Sequence, residues 1–160
     1  MRSSIPEIDM YLVDSLPGFK CIKCARCCAG KLIPLFDRDI EQLKARPGDE
    51  FYERTNRLER SVTGARFKMR TVEGRCVLLE EGLCRHYELR PNTCRRHPFI
   101  ATGKHRLVAS TCPGVDWSSR QSDDKIRALS EEISVGIDSF MEKRQIGPKR
   151  SRHLRSNSFV

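Results

Sequence analysis

The sequence predicts a small single-domain protein of the α+β class, with an irregular cysteine-rich half that contains short hairpins and a long C-terminal helix. Three observations indicate this fold class. The chain of 160 residues has the length of one ordinary domain. Short alternating segments are interrupted by Gly and Pro, and one later segment has apolar residues at helical spacing. We assign the domain to residues 1–147 and a short tail to residues 148–160.

One edge strand and two helices are predicted in the first third of the chain. Residues 31–36 form a short extended segment, which its proline limits to the edge of a sheet. Asp37 is placed to cap a first helix, because its carboxylate can accept from the first free backbone N–H groups. A turn at residues 47–49 is predicted to precede a second helix, which Asp49 caps and which ends near Leu58.

Two hairpins are predicted in the middle of the chain. Residues 66–71 alternate with period two and form a strand, a Glu-Gly pair makes the turn, and residues 76–79 form the partner strand. The second hairpin is predicted at residues 98–110, with its turn at residues 102–104.

The long helix is predicted over residues 122–144. Ser122 can cap it, and acidic residues in the first turn with basic residues in the last turn suit the helix dipole. The helix carries an apolar stripe that we expect to pack against the core: Ile126, Leu129, Ile133, Ile137, Phe140 and Met141. The tail, residues 148–160, is basic and is predicted to be disordered.

The composition predicts neither a membrane span nor a secretion signal. No run of apolar residues approaches the length that crosses a bilayer. The N-terminal segment lacks a continuous apolar stretch before a small-residue cleavage site. We therefore expect a cytoplasmic protein, and in that compartment clustered cysteines bind metal or do redox work more often than they form disulfides.

Eight cysteines are the strongest functional signal, and four of them have the spacing C-x-x-C-x-x-C-C at residues 21–28. A C-x-x-C pair can bring both sulfurs to one metal, and C-x-x-C-x-x-C is the run that holds iron–sulfur clusters. The other four are dispersed, and each lies beside a Gly or Pro that predicts a turn. We predict that all eight are metal ligands: Cys21, Cys24, Cys27, Cys28, Cys76, Cys84, Cys94 and Cys112.

The spacing leaves open how these cysteines share metal. They can fill two tetrahedral sites, or supply one four-ligand cluster with several cysteines left over. Adjacent Cys27 and Cys28 indicate ligands of two different metals, a single ligand, or a bridging thiolate. The ferredoxin-type run lacks its close fourth cysteine, because residue 31 is lysine, and Cys112-Pro113 can supply that ligand from far along the chain. We favour a 4Fe–4S cluster over zinc.

The remaining charged residues are interpreted around this site. The net charge is +9, and basic residues near the later cysteines can offset the charge of metal-bound thiolates. Recognition of RNA by the basic surface is the less favoured alternative, since no aromatic-interleaved binding motif accompanies it. His86 and His97 are predicted to pack or hydrogen-bond near the site rather than to bind metal.

Three stretches carry a family resemblance: Cys21-x-x-Cys-x-x-Cys-Cys28, Cys76-Val-Leu-Leu-Glu-Glu-Gly-Leu-Cys84-Arg-His-Tyr87, and Arg90-Pro91-x-x-Cys94-Arg95-x-x-Pro98-Phe99. Together they resemble the CxxCxxCC cysteine-cluster family of YkgJ-like proteins, over about residues 19–115. Members of that family are described as zinc- or iron-chelating and often as Fe–S-cluster-containing, and a similar cysteine domain occurs in a flagellin lysine methylase.

The resemblance implies metal binding and also suggests roles for residues beside the cysteines. Tyr87 and the Arg90-Pro91 turn are expected to shape the loop that presents Cys84 and Cys94. Arg95 is expected to offset thiolate charge.

We therefore predict a protein that holds an iron–sulfur cluster or zinc and acts in electron transfer or in support of a partner enzyme. The alternative is a zinc-stabilised binding module whose basic surface contacts RNA or an acidic protein. Outside the cysteines, the sequence has no Gly-rich cofactor loop, paired catalytic carboxylates or nucleophile–base motif. An oxidoreductase-type role that depends on the cluster is the enzyme hypothesis that remains.

Overall fold

The computed structural model describes residues 3–5, 9–29, 32–44, 50–109 and 111–144. The strands are β1 (Ser3–Ile5), β2 (Met10–Val13), β3 (Pro17–Phe19), β4 (Pro34–Leu35), β5 (Tyr52–Arg54), β6 (Phe67–Met69), β7 (Thr71–Val72), β8 (Arg75–Cys76), β9 (Leu79–Glu80), β10 (Leu83–Cys84), β11 (Phe99–Ala101), β12 (Arg106–Ala109) and β13 (Val115–Arg120). The helices are α1 (Asp37–Lys44), α2 (Arg57–Thr63), α3 (Asn92–Arg96), α4 (Asp124–Leu129) and α5 (Glu131–Lys143). This arrangement confirms the α+β class with short hairpins and C-terminal helices.

The main core lies between an antiparallel sheet and the C-terminal helix. The sheet has the order β1-β2-β12-β11, and its β11–β12 hairpin confirms the one predicted at residues 98–110. Apolar side chains of α2 and α5 pack against those of the sheet. The buried members of this core are Met10, Val62, Ile100, Leu107, Ile133, Ile137, Phe140 and Met141. The predicted apolar stripe of the C-terminal segment is therefore a core-packing face.

The helix predicted over residues 122–144 is present as two consecutive helices, α4 and α5, with Ser130 between them. Ser130 is fully buried, and its hydroxyl donates to the Ile126 carbonyl at 2.7 Å and accepts from the Ala101 N–H at 3.2 Å. A serine hydroxyl that bonds the backbone can interrupt a helix, and here it also joins the helix to β11. The predicted cap at Ser122 is wrong by one residue, because α4 begins at Asp124 with Asp123 as its cap residue, although Ser122 Oγ does accept from the Asp124 N–H at 3.3 Å.

A three-stranded sheet of order β4-β6-β5 forms the scaffold of the cysteine-rich half. β4 is an edge strand, as predicted from its proline. The first helix begins at Asp37, but the carboxylate that accepts the capping bond belongs to Asp39, from the Phe36 N–H at 3.0 Å. The predicted cap at Asp37 is therefore wrong by one residue, because the chain enters the helix with Phe36 as its cap residue.

The predicted second helix, from Asp49 to about Leu58, is wrong. Residues 52–54 form β5, which pairs with β6, and the helix α2 starts only at Arg57. Asn56 and Glu59 form a reciprocal capping box, with backbone-to-side-chain bonds of 2.8 and 2.9 Å. The turn predicted at residues 47–49 lies outside the described residues.

Two further predictions concern the limits of the domain and the membrane. The tail at residues 148–160 lies outside the described part of the chain, and the domain boundary stays a prediction. Within the described ranges, no helix combines the length and the apolar character that a bilayer crossing needs.

Gly136 fixes the contact between α2 and α5, and its replacement tests the main core. A Cβ atom added at Gly136 would lie 2.5 Å from the Thr63 carbonyl carbon and 2.7 Å from the Gly64 nitrogen, both of them backbone atoms. We expect Gly136→Ala to lower the free energy of unfolding by about 1–3 kcal/mol, because the two helices must separate.

Urea unfolding followed by circular dichroism measures this loss. Gly103→Ala is the matched control, since a Cβ at Gly103 meets no atom within 4 Å. Equal stability of the two variants would contradict the close helix contact.

Candidate metal centre

All eight cysteines line one cavity of about 100 Å³, and all eight are free thiols. Residues from the whole family-like region contribute to its wall, from Phe19 to Gly114. The structure thus brings together the clustered and the dispersed cysteines that the sequence analysis singled out. We refer to this space below as the cysteine cavity.

The first four cysteines lie on a loop with unusual backbone angles. Lys23 and Ala25 have φ values of 56° and 59°, in the left-handed region that costs a non-glycine residue about 1–2 kcal/mol. Cys24 stands between them, and the chain then makes one turn of 3₁₀-helix at Arg26–Cys28. Strained backbone of this kind clusters at binding sites, where the direction of a side chain matters more than local stability.

Two of the dispersed cysteines occupy equivalent positions in consecutive hairpins. β7–β8 turns at Glu73-Gly74 and β9–β10 turns at a second Glu-Gly pair, and all four turn residues have positive φ. Each turn is followed by one residue and then a cysteine. Cys76 and Cys84 are therefore related by a Glu-Gly-x-Cys motif that repeats after eight residues.

The first of these turns was predicted, but its partner strand, β8, covers only Arg75–Cys76 and not residues 76–79. The sequence analysis missed the repeat, although both Glu-Gly-x-Cys motifs are visible in the sequence.

Four cysteine sulfurs accept a hydrogen bond from the backbone N–H of the residue two positions further along the chain. The Lys23 N–H lies 3.4 Å from Cys21 Sγ. The corresponding N–H groups of Leu78, His86 and Gly114 donate to the sulfurs of Cys76, Cys84 and Cys112. Such bonds favour the thiolate over the thiol, and thiolate is the form that binds metal. The turns beside Cys76, Cys84 and Cys112 therefore place backbone N–H donors at their sulfurs.

The electrostatic contacts divide the cysteines into two groups. Burial raises the pKa of Cys112, and the charges of Cys21, Cys24 and Cys27 raise it further. Burial likewise raises the pKa of Cys94, with further contributions from cysteines of the two hairpins and from Cys27. We call Cys21, Cys24 and Cys112 the outer group, and Cys28, Cys76, Cys84 and Cys94 the inner group. Cys27 interacts with both groups.

Strand pairing brings Cys112 to the first cysteines across about ninety residues of chain. β3 ends just before Cys21, β13 begins just after Cys112, and the two strands pair antiparallel. Beyond the strands, the Lys20 N–H donates to the Gly114 carbonyl at 3.0 Å. A Cβ at Gly114 would collide with the Lys20 carbonyl oxygen, so only glycine permits this approach.

The pKa values of the adjacent cysteines Cys27 and Cys28 are shifted in opposite directions. A hydrogen bond from the Cys28 thiol lowers the pKa of Cys27 to about 6, and the charge of Arg90 lowers it as well. The same hydrogen bond, together with burial, raises the pKa of Cys28. Cys27 is thus the thiolate of the pair at neutral pH, and it is the cysteine that faces both groups.

Arg90 carries out the charge compensation that was expected of Arg95. The Arg90 guanidinium lowers the pKa of Cys27 and stacks 3.7 Å from the centre of the Tyr87 ring. Arg95 instead donates to the backbone carbonyls of Arg90, at 2.9 Å, and Glu88, at 3.1 Å. It holds the loop on which Arg90 sits. Tyr87 and Arg90 do shape the loop before Cys94, as the resemblance implied.

The chemistry of this cavity fits a soft metal, although the thiols are not yet gathered around one point. In the ranges that the structure describes, no three Cys, His, Asp or Glu side chains are already arranged to hold one ion. Eight thiols, several N–H donors and a neighbouring guanidinium are groups that suit zinc or iron bound by thiolates. His97 lines the cavity, whereas His86 contributes its backbone N–H to Cys84. Binding would therefore require the cysteine side chains to converge.

Comparison with known proteins gives one match. Neither a curated protein nor a solved structure matches the chain. The family model that matches covers residues 20–113, which is more than half of the chain and spans all eight cysteines. The protein therefore belongs to the CxxCxxCC family, which is described as a "putative zinc- or iron-chelating domain".

Proposed function

We propose that this metal-binding protein holds an iron–sulfur cluster in the cysteine cavity and passes electrons to or from a protein partner. The observation that carries the proposal is that all eight cysteines line one cavity of about 100 Å³. A structural zinc ion is enclosed tightly by four ligands at about 2.3 Å. One water needs only about 10–15 Å³ of such space, so the cavity has room for several atoms and favours a polynuclear centre.

The two groups of cysteines suggest how ligands are shared. The outer group and Cys27 together reproduce a ferredoxin-type run, in which Cys112-Pro113 replaces the missing close cysteine. These four residues would hold a 4Fe–4S cluster. The inner group would then supply a second four-cysteine set, and the adjacent Cys27 and Cys28 would serve different sets.

A bound iron–sulfur cluster supplies one-electron transfer. The residues of this chain hold the thiolates in place, donate N–H groups to their sulfurs and offset their charge through Arg90. Hydrogen bonds and nearby cations of this kind stabilise the more negative, reduced state and so raise a reduction potential.

The mouth of the cavity has the character of a docking surface for a partner. Ile22, Leu83 and Tyr87 line the cavity, and they remain 59%, 51% and 46% exposed to solvent. Lys23 and Arg26 also line the cavity. A surface that combines apolar residues with cations suits an acidic protein surface. In the alternative function, a zinc-stabilised module presents this surface to an acidic protein or to RNA.

Anaerobic purification followed by metal and sulfide analysis distinguishes these functions. We expect iron and acid-labile sulfide in the purified protein, with a broad visible absorption band that bleaches on reduction. The full chain is used, and the same sample is analysed by all three methods. A colourless protein that contains zinc, and that gains no colour on anaerobic reconstitution with iron and sulfide, would refute the iron–sulfur proposal and support the zinc module.

Gly114→Ala tests the assignment of Cys112 to the outer group. The added Cβ would collide with the Lys20 carbonyl and push Cys112 away from Cys21. We expect the variant to lose about half of its metal, because one of two four-cysteine sets is opened. Metal content per folded protein is the measurement, with circular dichroism to confirm folding.

Gly103→Ala is again the control, because its Cβ meets no atom within 4 Å. Full metal content in a folded Gly114→Ala protein would contradict the assignment of Cys112.

A further inference from the structure

A second and larger cavity lies beside the cysteine cavity. Its volume is about 360 Å³, within the range of small-molecule binding sites. The two cavities share Cys27, Cys94 and His97 on their walls. The rest of its lining is mostly apolar, and the main sheet and α5 contribute Met10, Ile100, Ile133 and Ile137 to it.

One buried cation, Arg96, lies on the wall of this second cavity. Arg96 lines the cavity and is only 5% exposed to solvent. Nη1 donates to the Phe99 carbonyl at 3.1 Å, and Nη2 donates to Thr93 Oγ1 at 3.4 Å. A guanidinium has five N–H donors and stays protonated in proteins, so these two bonds leave donor capacity unused.

No carboxylate among the described residues forms an ion pair with Arg96. Asp39 and Cys94 influence its charge only at longer range. The Asp39 carboxylate is engaged by the N–H groups of Phe36 and Asn92, at 3.0 and 3.1 Å. Asp9, on the cavity wall, is exposed to solvent, which screens its charge. A buried guanidinium without a paired anion is costly, and it creates a site that an anionic ligand would stabilise.

We propose that the second cavity binds a small carboxylate with an apolar body, whose carboxylate group Arg96 holds. The planar guanidinium matches a carboxylate with two parallel hydrogen bonds. The aliphatic side chains of Ile100, Ile133 and Ile137 contact the apolar part of the ligand. Because Cys27 and Cys94 form part of the shared wall, the bound ligand lies against the metal centre. The proposal does not depend on which metal the cysteines hold.

Calorimetric titration of the full chain, purified anaerobically with its metal, tests this site with two probes. Octanoate carries the carboxylate and an aliphatic body, and 1-octanol carries the same body without the charge. We expect saturable binding of octanoate at one site, and binding of octanol that is weaker by about tenfold or more. Absence of saturable octanoate binding, or equal binding of both probes, would overturn the proposal.

Replacement of Arg96 tests whether this residue holds the carboxylate of the probe. Arg96→Gln removes the charge, and we expect it to weaken octanoate binding by about tenfold or more. Arg66→Gln is the matched control, because Arg66 is an exposed arginine that pairs with Asp37 on the surface. Binding that survives unchanged in a folded Arg96→Gln protein would overturn the role of Arg96.

Ala109→Leu provides a test that leaves the charge in place. Ala109 is buried in β12 and lines the same cavity, so a larger side chain fills the space for the ligand. We expect this variant to lose octanoate binding, and it decides the question if Arg96→Gln does not fold. Unchanged binding in Ala109→Leu would place the octanoate elsewhere and refute the site.

Discussion

The pairing of β3 with β13 is the constraint on which the metal centre depends. It joins a strand before Cys21 to a strand after Cys112, and the Lys20–Gly114 hydrogen bond continues the contact to the cysteines themselves. Closing so long a loop costs conformational entropy, which two short strands offset only in part. Metal bound by thiolates from both ends of the loop, as proposed above, would add stabilisation and would couple metal binding to the folding of this half.

Local patterns predicted the elements whose structure is determined locally. Pro34 restricted its segment to an edge strand, the Glu73-Gly74 pair gave the first hairpin, and the spacing of apolar residues gave the C-terminal helical segment. The predictions failed where distant residues decide. The break at Ser130 depends on a bond from Ala101 in another strand, and β5 forms because β6 is there to pair with it. Ala101 and β6 are both distant in the sequence from the residues that they bond, so a short stretch of sequence cannot predict these contacts.

The same distinction applies to the metal centre. The spacing at residues 21–28 identified the chemistry, and the Glu-Gly-x-Cys repeat carried a local signal for two more cysteines that passed unnoticed. The division into an outer and an inner group was beyond the sequence, because it depends on which turns pack together. The sequence also could not show that Arg90, and not Arg95, interacts with the thiols. Two arginines of one loop look alike in the sequence, and only the fold of the loop decides which of them lies near the cysteines.

Two arginines, Arg90 and Arg96, interact electrostatically with cysteines of the cavity. Burial lowers the pKa of Arg96 to about 10, and the charges of Cys94 and Asp39 partly offset this effect. The charge of Arg90 lowers the pKa of Cys27 from the loop side. A metal that converts several thiols to thiolates releases their protons and leaves negative charge in the cavity. The Arg90 guanidinium already stands beside Cys27, so the protein itself offsets part of the negative charge of the loaded site.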